Sequence, residues 1–146
     1  MKIAVASDHA GYAFKAQLVD ELKRLGHEVL DMGADSEASC DYPDHGIPAA
    51  RSVADATADR AILACTNGIG MAMLANRVPG VRAALVYSER TASMTRAHHD
   101  SNVLCLGAGE FQITDLLKFV RAWLDTEFEA GRHARRIGKV EALDPS

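Results

Sequence analysis

The chain has 146 residues, which fits one domain, and its 48% hydrophobic and 25% charged residues allow an ordinary packed core. A formal net charge of −4 argues against a nucleic-acid-binding protein, because such proteins usually present a basic face. The sequence contains neither an apolar run of about 18 residues nor a signal segment, so we expect a cytoplasmic protein with no membrane span.

Short apolar runs alternate with helical patterns along the chain. In chain order, the first part predicts a strand at Lys2–Ser7, a helix over Gly11–Leu25, a strand at His27–Met32, a loop over Gly33–Asp44 and a helix over Ile47–Ala58 with Pro48 in its first turn. The second part predicts a strand at Arg60–Cys65, a helix over Gly70–Arg77, a strand at Arg82–Tyr87, a helix from the N-cap Ser88 to about His98, and a strand at Asn102–Leu106. A long amphipathic helix then begins at Ile113 and is broken by Gly131, and a basic tail follows.

This alternation predicts an α/β fold with a five-stranded parallel sheet covered by helices on both faces. In such sheets, ligands bind beyond the carboxyl ends of the strands. The candidate site residues are therefore those that directly follow a strand, in the segments Ser7–His9, Asp41–Pro43, Cys65–Gly68, Ser88–Glu89 and Gly107–Gly109.

The chain has three cysteines, Cys40, Cys65 and Cys105. Their odd number and wide spacing argue against a disulfide framework, and the absence of a CxxC motif removes the usual signature of structural zinc. A metal site made of Asp8, His9 and His98 lacks a characteristic ligand spacing. We therefore predict free thiols and no metal site.

An acid and an imidazole, Asp8 and His9, follow the first strand. Both groups transfer protons, and a charged imidazole also binds anions. An alternative fits the local sequence equally well, in which the aspartate caps a helix and the histidine is solvated.

Cys65 ends the third strand, and a turn containing Gly68 and Gly70 follows it. A thiol near a helix N-terminus is favoured as the thiolate, and the N–H groups of the turn can hold an anion or a developing oxyanion. The turn is not a P-loop, because the ending GK[ST] is missing. Taken alone, a buried cysteine that packs as a small hydrophobic residue is the commoner outcome.

Two pairs of polar residues lie further along the chain. His98 and His99 end a predicted helix, and adjacent helical residues point about 100° apart, so we expect only one of them to face a ligand. Arg132 and Arg136 share one face if their segment is helical, and two guanidinium groups there suit a phosphate or carboxylate. The alternative for the arginines is a solvated basic tail.

The chain carries, in this order from Met1 to about Arg136, the motifs SDHAG, DYPD, CTNGIG, NRVPGVRAAL, HHDSNVLCLG and GRHARR. This run resembles the ribose-5-phosphate isomerase type B and galactose-6-phosphate isomerase family. The resemblance implies a Rossmann-like three-layer α/β/α sandwich in one domain over residues 1–146, with the basic segment 131–146 contributing to the phosphate site. It also implies a homodimer, often paired into a tetramer, with active sites at the dimer interface.

The activity implied by the resemblance is aldose–ketose isomerisation of a sugar phosphate, with ribose 5-phosphate and ribulose 5-phosphate as the first pair to consider. The proton moves through an enediolate, without a metal or organic cofactor. The alternatives are a tetrose, allose or galactose phosphate as substrate, or a non-catalytic binder of a phosphorylated metabolite. A thiol redox protein is disfavoured, because the motif has no resolving cysteine.

The resemblance also implies roles for single residues. Cys65 matches the cysteine that removes the proton from the carbon next to the carbonyl, and relatives that use a glutamate carry it at the position of Met71. His98 matches the histidine that opens the sugar ring, with Asp8 as its proton partner, and Asn67 is expected to hold the substrate oxygens. The remaining expected contacts are the turn N–H groups of Gly68, Ile69 and Gly70, the substrate-binding Tyr42 and His99, and the phosphate-binding His9, Arg132 and Arg136.

Three positions depart from the family pattern. The family commonly has Thr or Ser at Asn67 and Asn at His99. A hydroxyl can relay a proton between two substrate oxygens, whereas a carboxamide can only hold them. Many members also carry an arginine at the position of Gly109, and losing one charge-assisted phosphate contact costs about 1.5–3 kcal/mol unless another group compensates. These differences bear on the identity of the sugar phosphate.

Overall fold

The structure is a computed structural model, and it describes residues 1–145. Its centre is a five-stranded sheet with the strand order β2-β1-β3-β5-β4, in which every neighbouring pair is parallel. The strands are β1 (Lys2–Ser7), β2 (Glu28–Asp31), β3 (Arg60–Cys65), β4 (Ala83–Leu85) and β5 (Val103–Gly107). The predicted five-stranded parallel sheet is confirmed, and the predicted bounds of β1 and β3 match residue for residue.

Six helices connect or follow the strands, and they are α1 (Tyr12–Arg24), α2 (Tyr42–Ala54), α3 (Ile69–Ala75), α4 (Glu89–His99), α5 (Ile113–Asp125) and α6 (Arg132–Glu141). A short 3₁₀ turn, His9–Gly11, precedes α1. Within residues 1–145, no helix combines the length and the apolar character that crossing a bilayer requires.

The helices form a layer on each face of the sheet, which confirms the three-layer sandwich. On one face, α1, α4 and α5 bury side chains such as Phe14, Ala92 and Trp123 against the sheet. On the other face, α2 and α3 bury smaller side chains such as Ala49 and Met71. Because both faces are covered, the central strands carry continuous apolar runs, at residues 3–6, 61–65 and 103–106, rather than alternating apolar and polar residues.

The helix α2 begins earlier than the sequence predicted, at Tyr42 instead of Ile47, and ends at Ala54 instead of Ala58. The DYPD segment is therefore the start of a helix and not part of a loop. Pro43 fits there, because the first helical residues need no N–H donor. Pro48 lies inside the helix and not in its first turn, so that expectation was wrong.

The end of the chain also differs from the prediction. The helix from Ile113 ends at Asp125, after which Thr126 is extended, so Gly131 does not end it. Gly131 instead adopts a positive φ of 59° and leads into α6. The predicted basic tail is thus a helix, which packs against α4. The other predicted elements differ from the observed ones by one or two residues at an end.

Candidate active site

The site begins at the carboxyl ends of β1 and β3. These strands are neighbours at the point where the strand order changes direction, because β2 lies on one side of β1 and β3 lies on the other. In open α/β sheets, ligands bind in the crevice that forms at such a point. The N–H of Asp8 donates to the carbonyl oxygen of Ala64 at 3.3 Å. The residues that follow β1 therefore lie directly beside those that follow β3.

Asp8 caps the 3₁₀ turn. One carboxylate oxygen, Oδ1, accepts hydrogen bonds from the N–H groups of Ala10 at 3.0 Å and Gly11 at 3.2 Å. The capping interpretation that the sequence left open is therefore what the structure contains. The other oxygen, Oδ2, accepts no hydrogen bond within residues 1–145, so the same carboxylate remains able to contact a ligand.

His9 is oriented by the loop that precedes α2. Its Nδ1 accepts a hydrogen bond from the N–H of Cys40 at 3.2 Å, and the sulfur of Cys40 lies 3.9 Å from the same nitrogen. A neutral imidazole that accepts through Nδ1 carries its proton on Nε2. His9 can therefore donate a hydrogen bond to an anion without being charged.

Cys65 lies at the end of β3 with only 6% of its surface exposed, packed in the core between the sheet and α3. Two backbone hydrogen bonds join its loop to the loop after β5. Ala108 donates to the carbonyl oxygen of Cys65 at 2.9 Å, and Gly109 donates to that of Thr66 at 2.8 Å. The thiol is thus fixed by its own backbone and shielded from bulk water.

The turn after Cys65 requires glycine at Gly68. Its φ is +79°, and a Cβ atom there would lie 2.7 Å from Cδ1 of Leu85 and 2.9 Å from the carbonyl carbon of Leu106. In this turn the Oδ1 of Asn67 accepts a hydrogen bond from the N–H of Ile69 at 3.0 Å. The carboxamide that replaces the expected hydroxyl therefore stabilises the turn.

That hydrogen bond changes which groups of the turn remain for a ligand. The N–H of Ile69 is already engaged. The N–H groups of Gly68 and Gly70 have no acceptor anywhere in the described chain. Asn67 still has its Nδ2 hydrogens, so two backbone donors and one side-chain amide in the turn after Cys65 remain available to a ligand.

Tyr42 connects the DYPD segment to this turn. It is the first residue of α2, and its ring packs against Gly70 so closely that a Cβ atom there would lie 2.6 Å from Cζ and 3.0 Å from the hydroxyl oxygen. The structure thus brings together one set of predicted residues, which we call the carboxyl-edge cluster and which comprises Asp8, His9, Tyr42, Cys65, Asn67, Gly68, Ile69 and Gly70.

His98 and His99 lie at the other edge of the sheet. The helix α4 starts just after β4, at the carboxyl edge, and runs back through 11 residues, about 16 Å at about 1.5 Å per residue, to end just before β5. Its last residues are therefore at the amino edge. Within one chain, His98 does not meet Asp8, so a metal site built from Asp8, His9 and His98 does not form.

His98 has two partners that the sequence did not assign. Its Nε2 lies 3.5 Å from Oε2 of Glu129, and its ring stacks on that of His133 with centroids 4.1 Å apart and planes 10° apart. Burial lowers the pKa of His133, and the charges of Arg132 and His98 lower that pKa further.

Arg132 and Arg136 belong to α6 and lie one turn apart, as the helical interpretation of their spacing requires. Arg136 lines a cavity of about 210 Å³ together with His98, His99 and His133. We call this second set the amino-edge cluster, and it comprises His98, His99, Glu129, Arg132, His133 and Arg136.

The sequence did not identify Glu129 and His133 as candidate site residues, for two different reasons. Glu129 fell in a segment that was predicted as part of one long helix, whereas it lies between α5 and α6 and is held to α4 by its N–H, which donates to Ala97 at 3.0 Å. His133 was visible in the motif GRHARR, but nothing in the local pattern tied it to His98.

Comparison with known proteins gives a consistent result. Residues 3–140 match the family model described as Ribose/Galactose Isomerase. Ribose-5-phosphate isomerase B of Escherichia coli is 35% identical over 143 residues, covering 98% of this chain and 96% of that protein.

Solved structures agree in fold over the same length. Clostridium thermocellum ribose-5-phosphate isomerase B superposes with a TM-score of 0.96 at 43% identity, covering 98% of this chain and 97% of that one. The Mycoplasma genitalium enzyme with bound ribulose-5-phosphate gives 0.92 at 40% identity, covering 97% and 94%. The matches in sequence and structure, which extend over nearly the whole chain, show that it belongs to the ribose/galactose isomerase family.

Proposed function

We propose that this chain is an aldose–ketose isomerase of sugar phosphates that interconverts ribose 5-phosphate and ribulose 5-phosphate. The observation that carries the proposal is the buried thiol of Cys65 beside two unengaged backbone N–H groups, those of Gly68 and Gly70. A base next to preorganised donors is what proton transfer through an oxyanion needs. Family relatives named ribose-5-phosphate isomerase B support the substrate.

In the proposed mechanism, the thiolate of Cys65 removes the proton from C2 of the open-chain aldose. The electron pair of that C–H bond forms the C1–C2 double bond, and the carbonyl oxygen O1 becomes the enediolate oxygen. The N–H groups of Gly68 and Gly70 and the Nδ2 of Asn67 stabilise this charge. Transfer of the O2 proton to O1 and return of the proton from the thiol of Cys65 to C1 then give the ketose and regenerate the thiolate.

The second part of the proposal is that the site is assembled from two chains. Ring opening by His98 and phosphate binding by Arg132 and Arg136 belong to the amino edge, whereas proton transfer belongs to the carboxyl edge. A second copy can present its amino-edge cluster to the carboxyl-edge cluster of the first, which gives two equivalent sites in a symmetric dimer.

An exposed apolar strip supports this dimer. Ile69 and Met73 lie one turn apart on α3, directly beside the carboxyl-edge cluster, and they are 51% and 68% exposed. Burying them in an interface would remove apolar surface from water. Pairing of dimers into a tetramer and the cytoplasmic location expected from the sequence stay predictions.

The phosphate subsite is the part most open to variation. We propose that His9, Arg132 and Arg136 form it, within a single domain to which segment 131–146 contributes its helix. A Cβ atom at Gly109 would lie 3.0 Å from the carbonyl oxygen of Thr66 and 3.1 Å from its Cγ2, so the family arginine has no room there unless Thr66 moves. Because the phosphate contact of that arginine is missing at Gly109, the substrate can differ from that of the family, and tetrose, allose and galactose phosphates are the alternatives.

A panel assay separates the candidate functions. Initial rates are measured with ribose 5-phosphate and with erythrose 4-, allose 6- and galactose 6-phosphates, and unphosphorylated ribose serves as the control for the phosphate subsite. We expect the highest kcat/KM with ribose 5-phosphate and negligible turnover of ribose. Turnover of another member of the panel with a higher kcat/KM would replace the substrate, and binding without any turnover would favour the non-catalytic binder.

A further inference from the structure

Two neighbours hold the imidazole of His98, and the proposed proton transfer uses neither of them. The Nε2 of His98 lies 3.5 Å from Oε2 of Glu129, which is within the range of an ion pair. The ring of His98 stacks on that of His133, with planes 10° apart and centroids 4.1 Å apart. Because 27% of the His98 side chain is still exposed, a ring held in this way can also reach a substrate.

The backbone between Glu129 and His133 turns sharply, so that both residues reach His98. The N–H of Glu129 donates to the carbonyl oxygen of Ala97 at 3.0 Å, which anchors this residue on α4. Ala130 then has a φ of 57°, and its carbonyl oxygen accepts a hydrogen bond from the N–H of His133 at 3.1 Å. A positive φ is uncommon for alanine, and such strained residues concentrate at functional sites. The strain at Ala130 is therefore a second observation that points to a function for this turn.

Glu129 is the carboxylate of the amino-edge cluster, whose other members are arginines and histidines. Arg136 lines the same cavity as His98 and His99, and Arg132 lies one turn before it on α6. A proton on His98 is opposed by these guanidinium groups, because like charges repel at short range. The carboxylate of Glu129 offsets that repulsion and pairs with the imidazolium.

His133 is suited to support His98 as an uncharged ring. It is only 5% exposed, and its Nε2 is buried without a hydrogen-bond partner in the part of the chain that the structure describes. Burial lowers the pKa of His133, and the charges of Arg132 and His98 lower that pKa further, so the neutral ring is favoured at pH 7. A neutral ring stacks beneath an imidazolium without the repulsion of two cations. His133 can thus fix the plane of the His98 ring without competing for its proton.

We propose that Glu129 and His133 are positioning residues that make His98 a ring-opening group, Glu129 by pairing with its imidazolium and His133 by fixing its ring. The proposal deepens the proposed function and rests on it, because the ring-opening role of His98 belongs to that function. Opening of ribose 5-phosphate breaks the bond between C1 and the ring oxygen O4. The electron pair goes to O4, which takes a proton from the imidazolium of His98. The hydroxyl at O1 loses its proton to the carboxylate of Asp8 in the second copy, and the C1–O1 double bond forms.

This ring-opening unit has an activity of its own that does not need Cys65. Closing the ring reverses both proton transfers, and rotation about the C1–C2 bond before closure lets O4 attack either face of the carbonyl group. The α and β anomers of the sugar phosphate therefore interchange, while the C2–H bond stays intact. A Cys65→Ala chain should still accelerate this exchange, although it does not form the ketose.

Anomer exchange is measured by NMR exchange spectroscopy on ribose 5-phosphate isotope-labelled at C1, with the full chain carrying Cys65→Ala. The exchange rate should rise in proportion to the protein concentration, and adding His98→Asn should remove this acceleration. Adding Glu129→Gln should lower the acceleration at least about tenfold, the usual effect of losing one charge-assisted contact. The matched control adds Glu127→Gln, which removes an exposed carboxylate two residues away and should leave the rate of the Cys65→Ala chain unchanged.

Two variants test the support that His133 provides. His133→Ala in the Cys65→Ala chain should slow the exchange, because the ring of His98 loses the surface on which it stacks. His133→Phe restores an aromatic ring without a nitrogen and should recover most of the rate. Equal rates in His133→Ala and His133→Phe would overturn the role of His133, and an unchanged rate in Glu129→Gln would overturn that of Glu129. If thermal unfolding shows that His133→Ala does not fold, His133→Phe is compared with the Cys65→Ala chain, and a loss of the acceleration there would overturn the supporting role.

This inference and the proposed function fail in different ways. If the unmodified chain exchanges anomers but converts no aldose phosphate into a ketose, the proposed isomerase fails and the ring-opening unit stands. If the unmodified chain isomerises ribose 5-phosphate but the Cys65→Ala chain, which binds the sugar, does not accelerate anomer exchange, the ring-opening unit fails and the isomerase stands.

Discussion

The two edges of the sheet hold their functional side chains by different interactions. At the carboxyl edge, hydrogen bonds from backbone N–H groups fix the side chains. Asp8 accepts from two N–H groups, His9 from that of Cys40, and Asn67 from that of Ile69. These donors belong to the rigid frame of strand ends and glycine turns and do not titrate.

At the amino edge, charged side chains pair with one another. Arg96 donates to Asp100 at 2.7 Å, and Arg82 donates to the same carboxylate at 3.2 Å and also pairs with Glu141 of α6. His98 lies 3.5 Å from Glu129. The charge pairs of this edge are therefore screened by salt, whereas the backbone hydrogen bonds of the carboxyl edge are not contacts between two charged side chains.

The difference fits the division of labour that we propose. Proton transfer at carbon requires a base and oxyanion donors fixed to within a fraction of an ångström, and backbone hydrogen bonds provide that precision. Phosphate binding and ring opening require positive charge and a titratable imidazole, which paired side chains on helices provide. The following experiments test the two edges separately.

The largest effect is expected at the carboxyl edge, from Cys65→Ala. Removing the base should lower kcat by about 10²–10⁴-fold while binding of the sugar phosphate persists. The control is Cys105→Ala, which removes a fully buried thiol from the neighbouring strand β5 and should leave kcat within a few-fold. Steady-state kinetics and calorimetric binding measure both, and a near-normal kcat in Cys65→Ala would remove the thiol from the mechanism.

A smaller effect is expected where Tyr42 packs against the turn. In Gly70→Ala the new methyl group would displace the tyrosine ring, because it would lie 2.6 Å from Cζ. Loss of one substrate hydrogen bond should lower kcat/KM about 3- to 10-fold, and Tyr42→Phe should lower it similarly.

The matched control for Gly70 is Gly138→Ala in α6, where a Cβ atom meets nothing within 4 Å. That change should leave kcat/KM unchanged and raise the free energy of unfolding by about 0.5–1 kcal/mol, because alanine restricts the unfolded chain. Full activity in both Gly70→Ala and Tyr42→Phe would mean that Tyr42 does not contact the substrate.

The smallest effect concerns ion pairs toward the amino edge. Hydrogen bonds from Arg24 and then from Arg121 lower the pKa of Glu21 from 4.5 to about 2, and the second of these joins α1 to α5. A carboxyl group whose pKa is lower in the folded state contributes stability above pH 4.5, and that contribution is lost as the pH falls toward 2.

We therefore expect Glu21→Gln to unfold at a lower temperature than the unmodified chain at pH 7, with the difference shrinking as the pH falls from about 4.5 to about 2. Calorimetry at a series of pH values measures it. Glu127→Gln, which removes a carboxylate that makes no ion pair within residues 1–145, should show no such pH-dependent difference. A constant difference between Glu21→Gln and the unmodified chain would contradict the ion-pair account.

The sequence was informative where local pattern decides structure. The strands β1 and β3 are buried on both faces, so each contains a continuous apolar run that marks it in the sequence, and the predicted bounds match the observed ones. The segment Arg132–Glu141 has only two apolar side chains, Ile137 and Val140, and it docks on α4 rather than on the sheet, so no core stripe marked it as a helix. The contacts that stabilise this helix come from α4, which is distant in the sequence, so the local sequence pattern could not predict them.

The candidate site divides in the same way. The carboxyl-edge residues follow strands directly, and the rule for parallel sheets brought them together from sequence. That His98 lies at the opposite edge follows from the direction of α4, which only the topology gives. The resemblance implies a dimer with a shared site, which stays a prediction, and the separation of the two clusters within one chain is the observation that supports it.

Mixing two inactive variants tests the proposed two-chain site most directly. Cys65→Ala lacks the base of the carboxyl edge, and His98→Asn lacks the imidazole of the amino edge. When equal amounts are refolded together, half of the dimers are mixed and each mixed dimer has one intact site, so we predict about a quarter of the unmodified rate. Two variants of one edge, Cys65→Ala and Asp8→Asn, should give no recovery. A Cys65→Ala and His98→Asn mixture as inactive as its components would contradict the account.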